Sequence, residues 1–303
     1  MKKLLVICGA TATGKTALAV ECAKKLDSEI ISADSQLIYR GLNIGTAKPA
    51  QAEMQGVMHH MIDIISPEDS FSVSEYEERA LPIADRLLGE NKTPVICGGT
   101  GFYINSILYK LGYGKTGSDV NIRRKYENIL ATEGKDHLFS LLSEADPETA
   151  AVLHPNDTKR VIRALEIFDV TGRKKSDQRD ELVPRYAYEA FAIDFPRDEL
   201  YRRIDARVDE MFERGLVEEV RELMDRGIDT SYQCFQAIGY KEVCEGLKNK
   251  LNDSTMRDII KQNTRHYAKR QLTFFKKLKG IHWLKPQEAT ADNVLELYND
   301  NQS

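Results

Sequence analysis

No apolar run in this sequence approaches the length a bilayer crossing requires, which argues against a membrane-spanning chain. Lys2-Lys3 followed by an apolar stretch imitates a short signal peptide, but the stretch stops at Gly9 and reads as a first strand. The cysteines (Cys8, Cys22, Cys97, Cys234 and Cys244) are odd in number and form no C-x-x-C pair. That pattern excludes a zinc ribbon and points to a reducing compartment, so a soluble cytoplasmic protein is expected. Cys8 and Cys97 end apolar strands and read as small buried hydrophobes. An excess of one charge is missing too: 43 Lys and Arg against 47 Asp and Glu leave −4, no global sign of a nucleic-acid partner. Internal repeats and low-complexity tracts are absent. The chain, at 303 residues, exceeds a typical single domain, so a core plus an insertion is expected.

What is present begins at residue 9. Gly9, Ala10, Thr11, Ala12, Thr13, Gly14, Lys15 and Thr16 form a complete G-x-x-x-x-G-K-[ST] loop. An apolar strand precedes it (Leu4 to Cys8), and a helix follows with Leu18, Ala19, Cys22, Ala23 and Leu26 at helical spacing. Such a loop curls so that successive N–H groups face one anion. Lys15 adds a mobile positive charge, and the Thr16 hydroxyl is placed to hold Mg²⁺. The loop grips a di- or triphosphate, nucleotide or otherwise, without saying which.

Short strands at 30–33 and 94–97 alternate with helices over residues 1–110, which implies parallel strands joined by crossover helices. The character changes after Gly117. Residues 119–175 show only helical patterns, with Asp119, Asp146-Pro147 and Asn156 or Asp157 as starts and Gly134 and Gly172 as stops. The core resumes with a strand at 190–193, helices over 197–226 broken at Gly215, a long helix at about 255–279 and an edge strand at 281–284. The expected class is α/β, a P-loop NTPase-like parallel sheet flanked by helices with a helical insertion domain. The expected division is 1–117, 118–186, 187–292 and a frayed tail at 293–303.

Three local patterns bear on chemistry. Asp34 follows the second strand directly, where open α/β sheets place ligands. Its alternatives are a general base in the cleft, or a helix cap or turn. Gly98-Gly99-Thr100-Gly101 leaves the next strand as either a tight turn or a close approach to a ligand, and no Asp stands there, so the usual Walker B carboxylate is missing. Residues 257–279 hold Arg257, Lys261, Arg265, Lys269, Arg270, Lys276, Lys277 and Lys279 against Asp258 alone, and Lys159, Arg160 and Arg163 crowd five residues. Such patches favour contact with nucleic-acid phosphates over mere solvation. His59-His60 has no partner at metal-ligand spacing.

The sequence resembles the tRNA dimethylallyltransferase (tRNA isopentenyltransferase) family. The resemblance rests on GATATGKT (9–16), ADSQLIYRGLNIGTAKP (33–49), HHMIDIISPEDSFSV (59–73), GGTGFY (98–103), HPNDTKRVIRALEIF (154–168), RRIDARVDEMFERGLVEEV (202–220), AIGYKE (237–242) and TRHYAKRQLTFF (264–275). These lie in order over nearly the whole chain. Phe274-Phe275-Lys276 departs from the family's common Trp-Phe-Arg. The resemblance implies transfer of a dimethylallyl group from dimethylallyl diphosphate to N6 of adenosine 37, next to the tRNA anticodon, with diphosphate leaving. It implies catalytic roles for Asp34 as base and for Lys15, Thr16 and Arg207 on the diphosphate side, with Mg²⁺ on Thr16. It further implies tRNA contacts at Asp34, Ser35, Gln36, Leu37, Thr100, Arg123, Lys159, Arg160, Val161, Ile162 and Arg163. The implied partners are tRNA through its anticodon stem-loop and dimethylallyl diphosphate, with no membrane and a monomeric chain. A small-molecule kinase using ATP shares the phosphate loop and an acceptor-binding Asp, but leaves the helical insertion and the basic helix unexplained. A non-catalytic, nucleotide-gated RNA-binding module explains the patches but not Asp34.

Overall fold

A computed structural model describes residues 3–111, 119–177, 182–278 and 280–300. The expected change of character at Gly117, the boundary at 118, Lys279 and residues 301–303 lie outside them. Six strands form one parallel sheet: β1 (Lys3–Cys8), β2 (Ile30–Ser32), β3 (His59–His60), β4 (Val95–Gly98), β5 (Ala187–Ile193) and β6 (Ile281–Leu284), in the order β3-β2-β4-β1-β5-β6. Central β1 is buried along its whole length between β4 and β5. A strand covered on both faces needs no polar alternation, which is why LLVIC reads as one apolar run after Lys3, whose ammonium pairs with Glu189. β6 is the edge strand that IHWL implied.

The helices, in chain order, are α1 (Lys15–Lys25), α2 (Gln51–Met54), α3 (Val73–Gly89), α4 (Gly101–Leu108), α5 (Val120–Ala145), α6 (Pro147–Val152), α7 (Thr158–Thr171), α8 (Arg197–Glu213), α9 (Leu216–Asp225), α10 (Tyr240–Lys248), α11 (Asp253–Phe275) and α12 (Ala291–Asp300). Among the described residues none is long and apolar enough to cross a membrane. Two compact units divide the chain: Met1–Tyr109 with Pro184–Ser303, and Lys110–Val183. The second contains α5, α6 and α7 around Tyr126, Leu138, Leu142, Val161 and Leu165. Asp119 caps α5 by accepting from Asn121 and Ile122 N–H, and Asp146 caps α6 with Pro147 in its first turn. Gly134 (φ 84) breaks α5, but helix resumes beyond it and carries Leu138 and Leu142 into that core.

Over its described residues, to Asp300, the tail is helical and not frayed. Residues 291–300 form α12, and Ala291, Val294 and Tyr298 pack into the cluster under β1, α1 and β5. Its polar Asn and Asp residues fall on the outer face, which made the segment look unstructured. The Tyr298 hydroxyl donates to the Lys3 carbonyl at 2.8 Å. Tyr298→Phe leaves that buried carbonyl short of a partner and should cost about 1 kcal/mol. Urea denaturation should therefore show a lower midpoint, whereas a loose tail would leave it unmoved.

Candidate active site

The phosphate loop runs from the end of β1 into α1, and its backbone is held open by left-handed residues at Gly14 (φ 85) and Ala12 (φ 63). Gly14 takes that conformation without cost, whereas a Cβ there would be strained. Thr13 Oγ1 and Lys15 Nζ both donate to the Ala10 carbonyl, at 2.9 and 3.1 Å. Ala10 and Thr13 face inward, and Thr11, Ala12, Lys15 and Thr16 face a cavity of about 290 Å³.

Asp34, Ser35, Gln36 and Leu37 line the same cavity from the end of β2, and Arg207 does so from α8. Asp34 Oδ1 accepts the Gln36 N–H at 2.9 Å, and among the described residues Oδ2 has no donor. The turn and the cleft position are thus both true of Asp34: one oxygen fixes the carboxylate and the other is left for a ligand. Arg207 donates to Thr11 Oγ1 at 3.2 Å. Burial lowers the pKa of Lys15 and of Arg207, and the Asp34 carboxylate opposes the shift in each. Lys15, Arg207 and Arg270 thus share the chamber with the Asp34 carboxylate. Burial pushes Cys8 up to about 12 and Cys97 to about 11, so both thiols stay protonated beside Lys15.

Gly98, Gly99 and Gly101 each lie against protein atoms, and Gly98 also lines the cavity. A Cβ on Gly98 would lie 2.1 Å from the Ala33 carbonyl oxygen, one on Gly99 would meet Gln271 at 2.2 Å, and one on Gly101 would meet the Phe274 ring at 2.1 Å. Thr100 accepts the Ser35 N–H at 3.0 Å through Oγ1 and so fixes the segment after Asp34. Gln271 is the residue the sequence reading missed. Buried on α11, it accepts the Thr11 N–H at 2.9 Å and donates to the Gly99 carbonyl at 2.9 Å, joining the phosphate loop to β4. Its signal was a polar side chain on the inward stripe of Ile260, Tyr267 and Phe274. Ile204, Val208, Met211, Ala237, Ile238 and Ile260 add an apolar part to a wall that also carries Gln236, Thr264, Tyr267 and Arg270.

The basic helix needs correction. Arg257 and Lys261 pair with Asp209, and Arg265 with Asp205, so three of its cations tie α11 to α8 and have their charge offset there. Lys269, Arg270, Lys276 and Lys277 remain exposed, and Arg270 also borders the cavity. In the helical unit, Arg123 and Arg163 both donate to the fully buried Glu166 carboxylate at 2.9 Å, and Arg160 pairs with Asp157. Lys159 is exposed there. Val161 and Ile162, expected at a tRNA contact, are buried in that unit's core, so their side chains offer RNA nothing. His60 pairs with Glu29, and no cluster of three metal-ligating side chains exists among the described residues.

Against this geometry stand the comparisons. Residues 37–278 match the family model described as IPP transferase. A tRNA dimethylallyltransferase of Oceanobacillus iheyensis is 42% identical over 99% of this chain and 97% of its own. One from Acetivibrio thermocellus is also 42% identical, over 97% and 95%. Among solved structures, the full-length tRNA isopentenylpyrophosphate transferase of Bacillus halodurans superposes with a TM-score of 0.73 at 39% identity, covering 100% of this chain and 96% of that one. A eukaryotic dimethylallyltransferase acting on tRNA superposes with 0.84 at 28% identity, covering 99% and 79%.

Proposed function

The chain belongs to the IPP transferase family, and from that premise we propose that it transfers a dimethylallyl group from dimethylallyl diphosphate to tRNA, at N6 of adenosine 37 beside the anticodon. The observation that carries the reading is the meeting of Lys15, Thr16, Asp34 and Arg207 at one cavity with a partly apolar wall. The allylic C–O bond breaks and its electron pair leaves with diphosphate. The N6 lone pair forms the new C–N bond, and the N6 proton goes to Asp34 Oδ2. Loop N–H groups, Lys15 and Arg207 would stabilise the negative charge that grows on the departing diphosphate. Ile204, Val208 and Met211 offer the dimethylallyl group a dry surface and keep water from the electrophilic carbon. The adenine reaches such a chamber only by leaving its stack.

The residues present fit magnesium. It commonly takes one or two protein oxygens and fills its shell with water and substrate phosphates, and the Thr16 hydroxyl at the cavity provides one such oxygen. When bound there, it would neutralise part of the diphosphate charge.

The tRNA contacts proposed are Ser35, Gln36, Leu37 and Thr100 near the chamber, and Arg123, Lys159, Arg160 and Arg163 on the helical unit. Lys269 on α11 and Lys277 just beyond its end are exposed and carry no ion pair among the described residues. Lys269→Ala with Lys277→Ala should reduce the log–log salt slope of tRNA binding by about 0.7–0.9 for each phosphate that is no longer neutralised. An unchanged slope would remove α11 from the RNA interface.

The assay of function offers tRNA with either labelled dimethylallyl diphosphate or ATP labelled in its γ-phosphate. The proposal expects allyl label on RNA and no transfer from ATP. Phosphorylation of a small acceptor at ordinary enzymic rates would return the kinase reading.

A further inference from the structure

IGTAKP and AIGYKE supply no group used in the chemistry above, yet the structure brings them together through a third segment, GLVEEV. The N–H groups of Asn43, Ile44 and Gly45 converge on one carboxylate, Glu219 of α9, at 3.0, 3.0 and 3.3 Å. The hydroxyl of fully buried Tyr240, first residue of α10, donates to Glu219 Oε1 and accepts the Gly45 N–H at 3.2 Å. Gly45 lies flush on that ring: a Cβ there would sit 2.5 Å from Tyr240 and 2.9 Å from Leu216. The segment is also tied at its far end, where the buried Lys48 ammonium donates to the Tyr39 carbonyl at 2.8 Å and pairs with Asp63. The inner side of this pinned stretch (Gly45, Thr46 and Ala47) lines the reaction chamber beside Val208, Met211 and Ala237.

We propose that Glu219, assisted by Tyr240, is a positioning residue for the prenyl donor: it holds backbone 43–47 as a fixed wall of the chamber. The inference rests on the transferase reading above. Three successive N–H groups on one carboxylate are charge-assisted and shape-specific. A wall set in place before binding spares the donor the cost of ordering it. The diphosphate end is held separately, by the loop at 9–16, so the wall acts on the allyl end.

Glu219→Gln keeps size but turns an N–H donor toward N–H donors, and Tyr240→Phe keeps the ring and deletes the hydroxyl. With the full chain, magnesium and tRNA, Glu219→Gln should raise the KM for dimethylallyl diphosphate about tenfold, and Tyr240→Phe about threefold. Inhibition by inorganic pyrophosphate and the KM for tRNA should stay within about twofold, a split that a general loss of folding cannot produce. An unchanged donor KM with a lowered melting temperature overturns the proposal, and so does parallel loss of donor and pyrophosphate binding. If Glu219→Gln fails to fold, Tyr240→Phe decides alone, and an unmoved donor KM in it overturns the proposal. Failure of the wild-type chain to prenylate tRNA is seen before any variant is compared, and it overturns the transferase reading instead.

Discussion

Asp34→Asn should slow single-turnover transfer to tRNA by about 10²–10⁴, the usual worth of general-base assistance. In barrier height that is roughly 3–5 kcal/mol. The substitution preserves much of the structure around it. The amide oxygen can still accept the Gln36 N–H, so the turn after β2 is retained. What is lost is the basic oxygen opposite, which shares the cavity with Lys15 and Arg207. An adenine N6 amine is a poor nucleophile because its lone pair is delocalised into the ring, so proton removal as the C–N bond forms is where help counts. Binding of both substrates should change less than about tenfold, because an amide can still accept from the adenine amine. Normal transfer at saturation with weakened tRNA binding would reduce Asp34 to a positioning role. Loss of the folded circular-dichroism signal would make it a structural turn residue.

Lys15→Ala should lower turnover by about 10²–10³, the range seen when one preorganised donor to a developing anion is removed. It should leave tRNA affinity within a few-fold. The ammonium rests against the Ala10 carbonyl of its own loop, within reach of the cavity. Its removal leaves Arg207 and Arg270 as the cations lining the cavity among the described residues, and Arg207 is committed in part to Thr11 Oγ1. A variant that loses tRNA binding and turnover in equal measure would assign Lys15 to RNA recognition and not to the leaving group.

The phosphate loop and the strand-end position of Asp34 could be read from residue types and spacing because both are local: five residues of apolar strand, eight of loop, then a helical period. The parallel sheet followed from the same alternation. Less legible was anything set by neighbours distant in sequence. Gln271 joins Thr11 and Gly99 across 260 and 172 positions, and only its polarity on an inward stripe hinted at it. The glycines at 98, 99 and 101 left two explanations open, and the packing of Ala33, Gln271 and Phe274 against them could not be read from local sequence. Counting charge along α11 overstated its free cations, because Asp205 and Asp209 lie far away in sequence and beside it in space. For Val161 and Ile162 the helical period already turned both side chains inward, as the structure has them, and it was the resemblance that set them against tRNA. The helix at 291–300 was hidden by polar residues on its outer face, while Val294 and Tyr298 marked the buried one.

The most direct measurement is nucleoside mapping of unmodified tRNA after incubation with the purified chain, dimethylallyl diphosphate and magnesium. The account predicts a single new nucleoside, N6-dimethylallyladenosine, in the fragment carrying the residue just 3′ of the anticodon, with inorganic diphosphate released in equal amount. An unprenylated tRNA, or the allyl group on a base elsewhere in the molecule, would contradict it.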